Sequence, residues 1–97
     1  MTIMINNAST DTVSVSATWS GSRGVVQVAG TLGGASVQLE AVNTYDAKKG
    51  MPYSPVGSAI TATGFIQFDL GECDYRVSLT GGSPVGVYVS VNPQVLV

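Results

Sequence analysis

The sequence predicts an all-β protein: a small antiparallel β-sandwich or jelly-roll-like barrel of about six to eight short strands. Three observations lead there. Apolar and small polar residues alternate with period two in one stretch after another. Gly-rich turns punctuate those stretches at spacings of about 8–12 residues. No segment carries the periodicity of an amphipathic helix.

The elements follow in order. Met1 to Asn7 is apolar at Ile3, Met4 and Ile5, with neither the basic region nor the long hydrophobic stretch of a signal peptide. Thr12 to Ser20 is the first clear strand, with Val13, Val15, Ala17 and Trp19 on one face and Ser14, Ser16 and Thr18 on the other. Ser20-Gly21-Ser22-Arg23-Gly24 breaks it. Val25 to Thr31 is the second strand, and Leu32-Gly33-Gly34-Ala35 a tight connection in which glycine supplies positive φ. Ser36 to Asn43 is the third, with Val37, Leu39 and Ala41 inward.

Thr44 to Ser58 is one long irregular segment, and a loop of that length in a small domain is usually functional or mobile. Ala59 to Thr63 reads as a short edge strand. Phe65 to Leu70 resumes alternation through Ile66, Phe68 and Leu70. Cys73 to Thr80 puts Cys73, Tyr75, Val77 and Leu79 on one face, against Asp74, Arg76 and Ser78. After Gly81-Gly82-Ser83-Pro84, Val85, Val87, Val89 and Val91 align on a last strand. The 97 residues make one domain, 1–97, with no visible boundary or tandem repeat. The apolar ends (Ile3, Met4, Ile5; Val95, Leu96, Val97) are expected to be packed, on their own domain or on a neighbour, and segments 1–7 and 92–97 are assigned preferentially to contacts with neighbouring molecules.

Composition narrows the function. Only 10% of residues are charged, where an ordinary soluble domain has about a quarter. Ser, Thr, Asn and Gln supply the polarity instead, and such groups cost less to desolvate than charges, so another protein can cover this surface at a modest penalty. The four basic residues, Arg23, Lys48, Lys49 and Arg76, form no patch able to neutralise a run of phosphates, so no nucleic acid is expected. No apolar run approaches the roughly 18 residues of a membrane span, and no membrane partner is expected.

Chemistry is expected to be absent. There is no histidine, the commonest general base and metal ligand at neutral pH. Cys73 stands alone, with no disulfide partner or zinc cluster, and its alternation predicts a buried, inert thiol. Asp69, Glu72 and Asp74 straddle the turn at Gly71 and read as a solvated hairpin tip; their spacing matches no EF-hand loop. Gly33-Gly34 and Gly81-Gly82 lie between strands and are hairpin turns, not phosphate cradles. The expectation is a non-enzyme with no cofactor and no metal. Tyr45, Met51, Tyr53 and Pro55 place interface-type residues on the long loop, either as partner contacts or as a lid over one end of the sandwich. Trp19 reads as core.

The stretch VQVAGTLGGASVQLEAV (Val26–Val42), with TATGFIQFDLGECDYRVSLTGGSPVGVYVSV (Thr61–Val91), resembles small accessory virion proteins of tailed bacteriophages. They share a G-T-φ-G-G-A turn, an alternating V-x-L strand, a variable loop, a Y-R-V strand and a Gly-rich turn before a Val-rich strand. The resemblance covers about two-thirds of the chain. It implies a virion subunit made in the host cytoplasm and carried on the particle exterior. Capsid decoration (cement) is the expected role, as homo-oligomers and typically trimers, with the major capsid protein or other virion proteins as partners. The alternative is a fibre- or tail-associated subunit that recognises host-surface glycan, with Trp19, Tyr53 or Tyr88 as candidate stacking rings. The chain departs from the pattern at AKKGMPYSP (Ala47–Pro55), where similar sequences have a short Asp-Gly turn. That suggests a contact particular to this protein.

Overall fold

A strand with one oily face needs a second sheet to cover it, and the structure meets that need directly. The computed structural model describes residues 2–93. In chain order these form β1 (Thr2–Ala8), β2 (Thr12–Val13), β3 (Ala17–Trp19), β4 (Ser22–Thr31), β5 (Ser36–Val42), a single helical turn α1 (Thr44–Ala47), β6 (Ser54–Pro55), β7 (Gly64–Leu70), β8 (Cys73–Thr80) and β9 (Val85–Pro93). Sheet A has the order β1-β9-β4-β7. Sheet B runs β2-β8-β5-β6, with β3 also on β8. Every pairing is antiparallel. The all-β sandwich expected from the alternation is the fold.

The core lies between the sheets. Sheet A contributes Ile5, Val26, Val28, Val87, Val89 and Val91; sheet B contributes Trp19, Val37, Leu39, Cys73, Tyr75, Val77 and Leu79. Burying each large aliphatic side chain stabilises the fold by roughly 1.5–3 kcal/mol. The Trp19 ring stands 5.0 Å from Phe68 and meets Tyr75 edge-on at 5.7 Å, so one aromatic cluster ties the two sheets together. Its indole N–H donates to the carbonyl of Ser22 at 3.3 Å.

Several sequence expectations need correction. The segment 12–20 is two strands, not one. Thr12 opposes Leu79 and Ala17 opposes Tyr75, so five steps on one side face four on the other. That extra residue flips the side chains to the other face. Ser14 sits at the break, where its hydroxyl accepts the N–H of Val77 at 2.9 Å. Val13 and Val15 therefore point to solvent, 57% and 83% exposed, while Trp19 is buried.

Val85 is likewise exposed rather than aligned with Val87, because the β4–β9 register shifts between Ala29 and Thr31. At that bulge Gly30 has φ 98°, and a Cβ on it would lie 2.2 Å from the carbonyl oxygen of Gly86. Only glycine fits there. Ala59–Thr63 is no strand; Ile60 alone bridges Val37. The irregular segment contains α1 and β6. Finally, residues 2–8 are a strand of this domain's own sheet, and Ile5, opposite Val89 of β9, is 1% exposed in the core. Ile5 is core, not a contact for a neighbour. Met4 packs partly buried against the same core.

Candidate interaction surfaces

The outer faces of the two sheets differ in chemistry. On sheet A, cross-strand register places Ile3, Ser90, Gln27 and Phe65 in one row across all four strands. Directly opposed residues share a face, and these alternate with Val26, Val28 and Val89 of the core, so the row faces outward, with Ser90 covered by its neighbours at 9% exposed. The neighbouring rows add Tyr88 beside Ala29, and Asn92, Val25 and Gln67. Ile3 is 53% exposed, Phe65 70% and Tyr88 43%. In these rows no side chain carries a charge; Arg23 and Asp69 oppose each other only at the margin. A shallow groove of 170 Å³ lies between Ile3 and Tyr88, floored by Gln27, Ala29 and Ser90.

Sheet B carries charge instead. The Arg76 guanidinium donates to Glu40 at 2.9 Å, and its plane lies 4.3 Å from the centre of the Tyr53 ring. The Tyr53 hydroxyl shares a hydrogen bond with the Ser16 hydroxyl. Thr44 donates to Asp74 at 3.2 Å. These contacts fasten the long loop across the outer face of β5 and β8. Tyr53 is thus half-buried against the outer face of its own sheet B rather than left as a free contact.

The remainder of the loop projects. In α1 the carbonyl of Asn43 accepts the N–H of Ala47, and the carbonyl of Asp46 accepts the N–H groups of Lys49 and Met51. These bonds hold Tyr45 and Met51 outward, 68% and 55% exposed, with the Lys49 ammonium 4.6 Å over the Tyr45 ring. An open cleft of 270 Å³ separates Met51 and Pro52 from the β7–β8 turn at Gly71 and Glu72. Pro55 is exposed on β6, paired with Glu40.

The other candidates resolve as follows. Asp69 faces outward on sheet A and Asp74 on sheet B, so the carboxylates around Gly71 do not converge. Among the described residues no group of three His, Cys, Asp or Glu side chains comes together. Cys73 is buried; desolvation pushes its thiol pKa up, and the charge of Asp74 adds to the rise. Trp19 is 6% exposed, which removes it as a sugar platform. Val95, Leu96 and Val97 lie outside the described residues.

Of the contact candidates, the structure leaves Ile3, Tyr45, Met51 and Pro55 on the surface but does not gather them on one face. Sequence reasoning missed the outer face of sheet A. Its signal was present: the alternate positions 25, 27 and 29 and 65 and 67 hold no charge. No protein-family model, curated protein or solved structure matches this chain.

Proposed function

We propose that this chain is a non-enzymatic structural subunit that decorates the outside of a larger protein assembly, the head lattice of a tailed-bacteriophage particle. The observation that carries the docking is the run of uncharged rows on the outer face of sheet A, with Ile3, Tyr88 and Phe65 exposed in it and the opposed Arg23 and Asp69 only at its margin. Covering it desolvates apolar and amide groups but no charge, so burial is favourable with few compensating contacts. The phage particle as partner is supported by the sequence resemblance. The partner is the major capsid protein or another virion protein, and the subunit binds as a symmetric homo-oligomer. The domain measures 37 × 35 × 20 Å, and its broad side is wide enough for a standard interface of about 800 Å² per partner. Many copies on one lattice make modest contacts additive through multivalency.

The test uses particles that lack the protein. They lose resistance to heat and osmotic shock, and adding back the purified chain restores it. Phe65→Asp, which puts a charge on the face, binds particles at least about tenfold more weakly while keeping the fold. Particles equally robust without the protein would sink cementing.

A second reading is favoured by one observation. The exposed Tyr88 ring borders the groove floored by Gln27 and Ser90, a stacking surface beside amide and hydroxyl groups. On a fibre or tail, this pair of features suits a host-surface glycan. Glycan-array binding abolished by Tyr88→Ala, with a handful of copies per particle in place of hundreds, would favour recognition over cementing.

A further inference from the structure

The exposed edges of the two sheets are not equivalent. The β1 edge is bulged twice, between Ile3 and Ile5 and between Ile5 and Ala8, with Asn7 at φ 55°. The β6 edge is two residues long and ends in Pro55. The opposite edge of sheet B is broken into β2 and β3. Bulges, prolines and short strands all obstruct the addition of another chain's strand.

The β7 edge has none of these devices. Its seven residues, GFIQFDL, hold unbroken register with β4 from Ser22 opposite Leu70 to Val28 opposite Gly64. It contains no proline and no lysine, and Asp69 is its one charge. Among the described residues, no loop backbone group bonds to it. Nothing among the described residues pairs with its outward N–H and C=O groups, and Phe65 and Ile66, 70% and 46% exposed, stand on opposite faces beside them. Below it the sandwich gapes in a seam of 240 Å³ lined mainly by apolar side chains, among them Val26, Leu39, Ile60 and Phe68, with Ser58, Gln67 and Asp69 completing it.

We propose that β7 pairs antiparallel with β7 of a second copy of this chain, joining two four-stranded sheets into one across a twofold axis at Gln67. The occupant follows from the strand's own sequence. In antiparallel self-pairing, opposed residues share a face, so the axis must pass through a residue. Centring it on Gln67 is the one choice that pairs all seven residues. Ile66 then meets Phe68 of the partner subunit over the seam, and Phe65 meets Asp69 of the partner subunit on the outer face. No like charges oppose each other. An axis at Asp69 would set two carboxylates side by side, which disfavours that register. A single edge strand covers less than the roughly 800 Å² per partner of a standard interface, so the pairing is reversible and grows with concentration.

Sedimentation over a concentration series tests this with the whole chain. The mass rises from 9.9 kDa toward twice that value. Gln67→Cys forms a self-disulfide dimer under mild oxidation, while the wild type, whose Cys73 is buried, does not. Gln67→Lys sets two ammonium groups at the axis and weakens dimerisation by about tenfold or more, and mixing it with Gln67→Glu restores it. Gln67 is exposed, so these variants keep the fold, which circular dichroism checks. A monomer at every concentration, a trimer, or a dimer that ignores Gln67→Lys and leaves Gln67→Cys unlinked overturns the proposal. It is separable from particle binding: a strict monomer that still decorates particles sinks the pairing alone.

Discussion

Cys73 illustrates what single residues decide in this domain. Its thiol is buried in the core, and desolvation, with a smaller push from Asp74, holds its pKa above the ordinary 9.0. The folded state therefore keeps its proton at a pH where the unfolded chain has released it. The thiol's contribution to stability is complete below pH 9.0 and is lost as pH rises through the folded-state value. Chemical denaturation of wild type and Cys73→Ala over an alkaline series should show the wild type losing ground to the variant above pH 9.0; a constant difference would refute the account. At Gly30 the constraint is steric. Positive φ and the Gly86 carbonyl leave no room for a methyl, so Gly30→Ala destabilises by more than the roughly 1 kcal/mol typical of a point mutant, read as a lower denaturation midpoint. Alternation alone assigned Cys73, Tyr75, Val77 and Leu79 to the interior correctly, because β8 runs straight in the centre of its sheet. It failed at Val13, Val15 and Val85, because a bulge inserts one residue, and period two carries no record of where that happens.

At the scale of elements, the N-terminal segment packs on its own domain, the less favoured of the two placements its oily residues allowed. Ile3, Met4 and Ile5 in a row do not alternate, so the sequence showed an oily end and not a strand. In the structure, the bulge between Ile3 and Ile5 lets β1 bury Ile5 while turning Ile3 outward. Ile5→Ala is expected to cost about 2–5 kcal/mol, as for a core truncation, whereas Ile3→Ala stays within about 0.5 kcal/mol. Equal effects would mean that β1 is held by something other than the core. The long loop divides in the same way. Its existence was legible from Lys48-Lys49-Gly50 and the prolines, but its anchoring was not, because that depends on Arg76 and Ser16 from distant strands. Tyr45→Ala should leave the melting temperature unchanged, and Tyr53→Ala should lower it. If the two behaved alike, the Tyr53–Arg76–Ser16 contacts would hold nothing in place.

For the whole molecule, the decisive property is the asymmetry between its broad sides. The Glu40–Arg76 pair and Asp74 lie on the outer face of sheet B, while the outer face of sheet A presents Ile3, Tyr88, Phe65 and uncharged amides. The alternate uncharged positions of β4 and β7 carried part of this signal, but the segregation becomes plain only when β1, β9, β4 and β7 are laid side by side in register. It sets how binding must respond to solution conditions. Association through sheet B would rest on charges and weaken as salt shortens the Debye length to about 8 Å at physiological strength and less above it. Association through the uncharged rows of sheet A leaves only the opposed Arg23 and Asp69 at the margin to screen. Raising sodium chloride should therefore leave the affinity for particles nearly constant, and sulfate should strengthen it by favouring apolar burial. Binding isotherms on particles lacking the protein, measured across both salts, separate the two faces. A steep loss of affinity in sodium chloride would assign docking to the Arg76 side and withdraw the role given to Ile3, Tyr88 and Phe65.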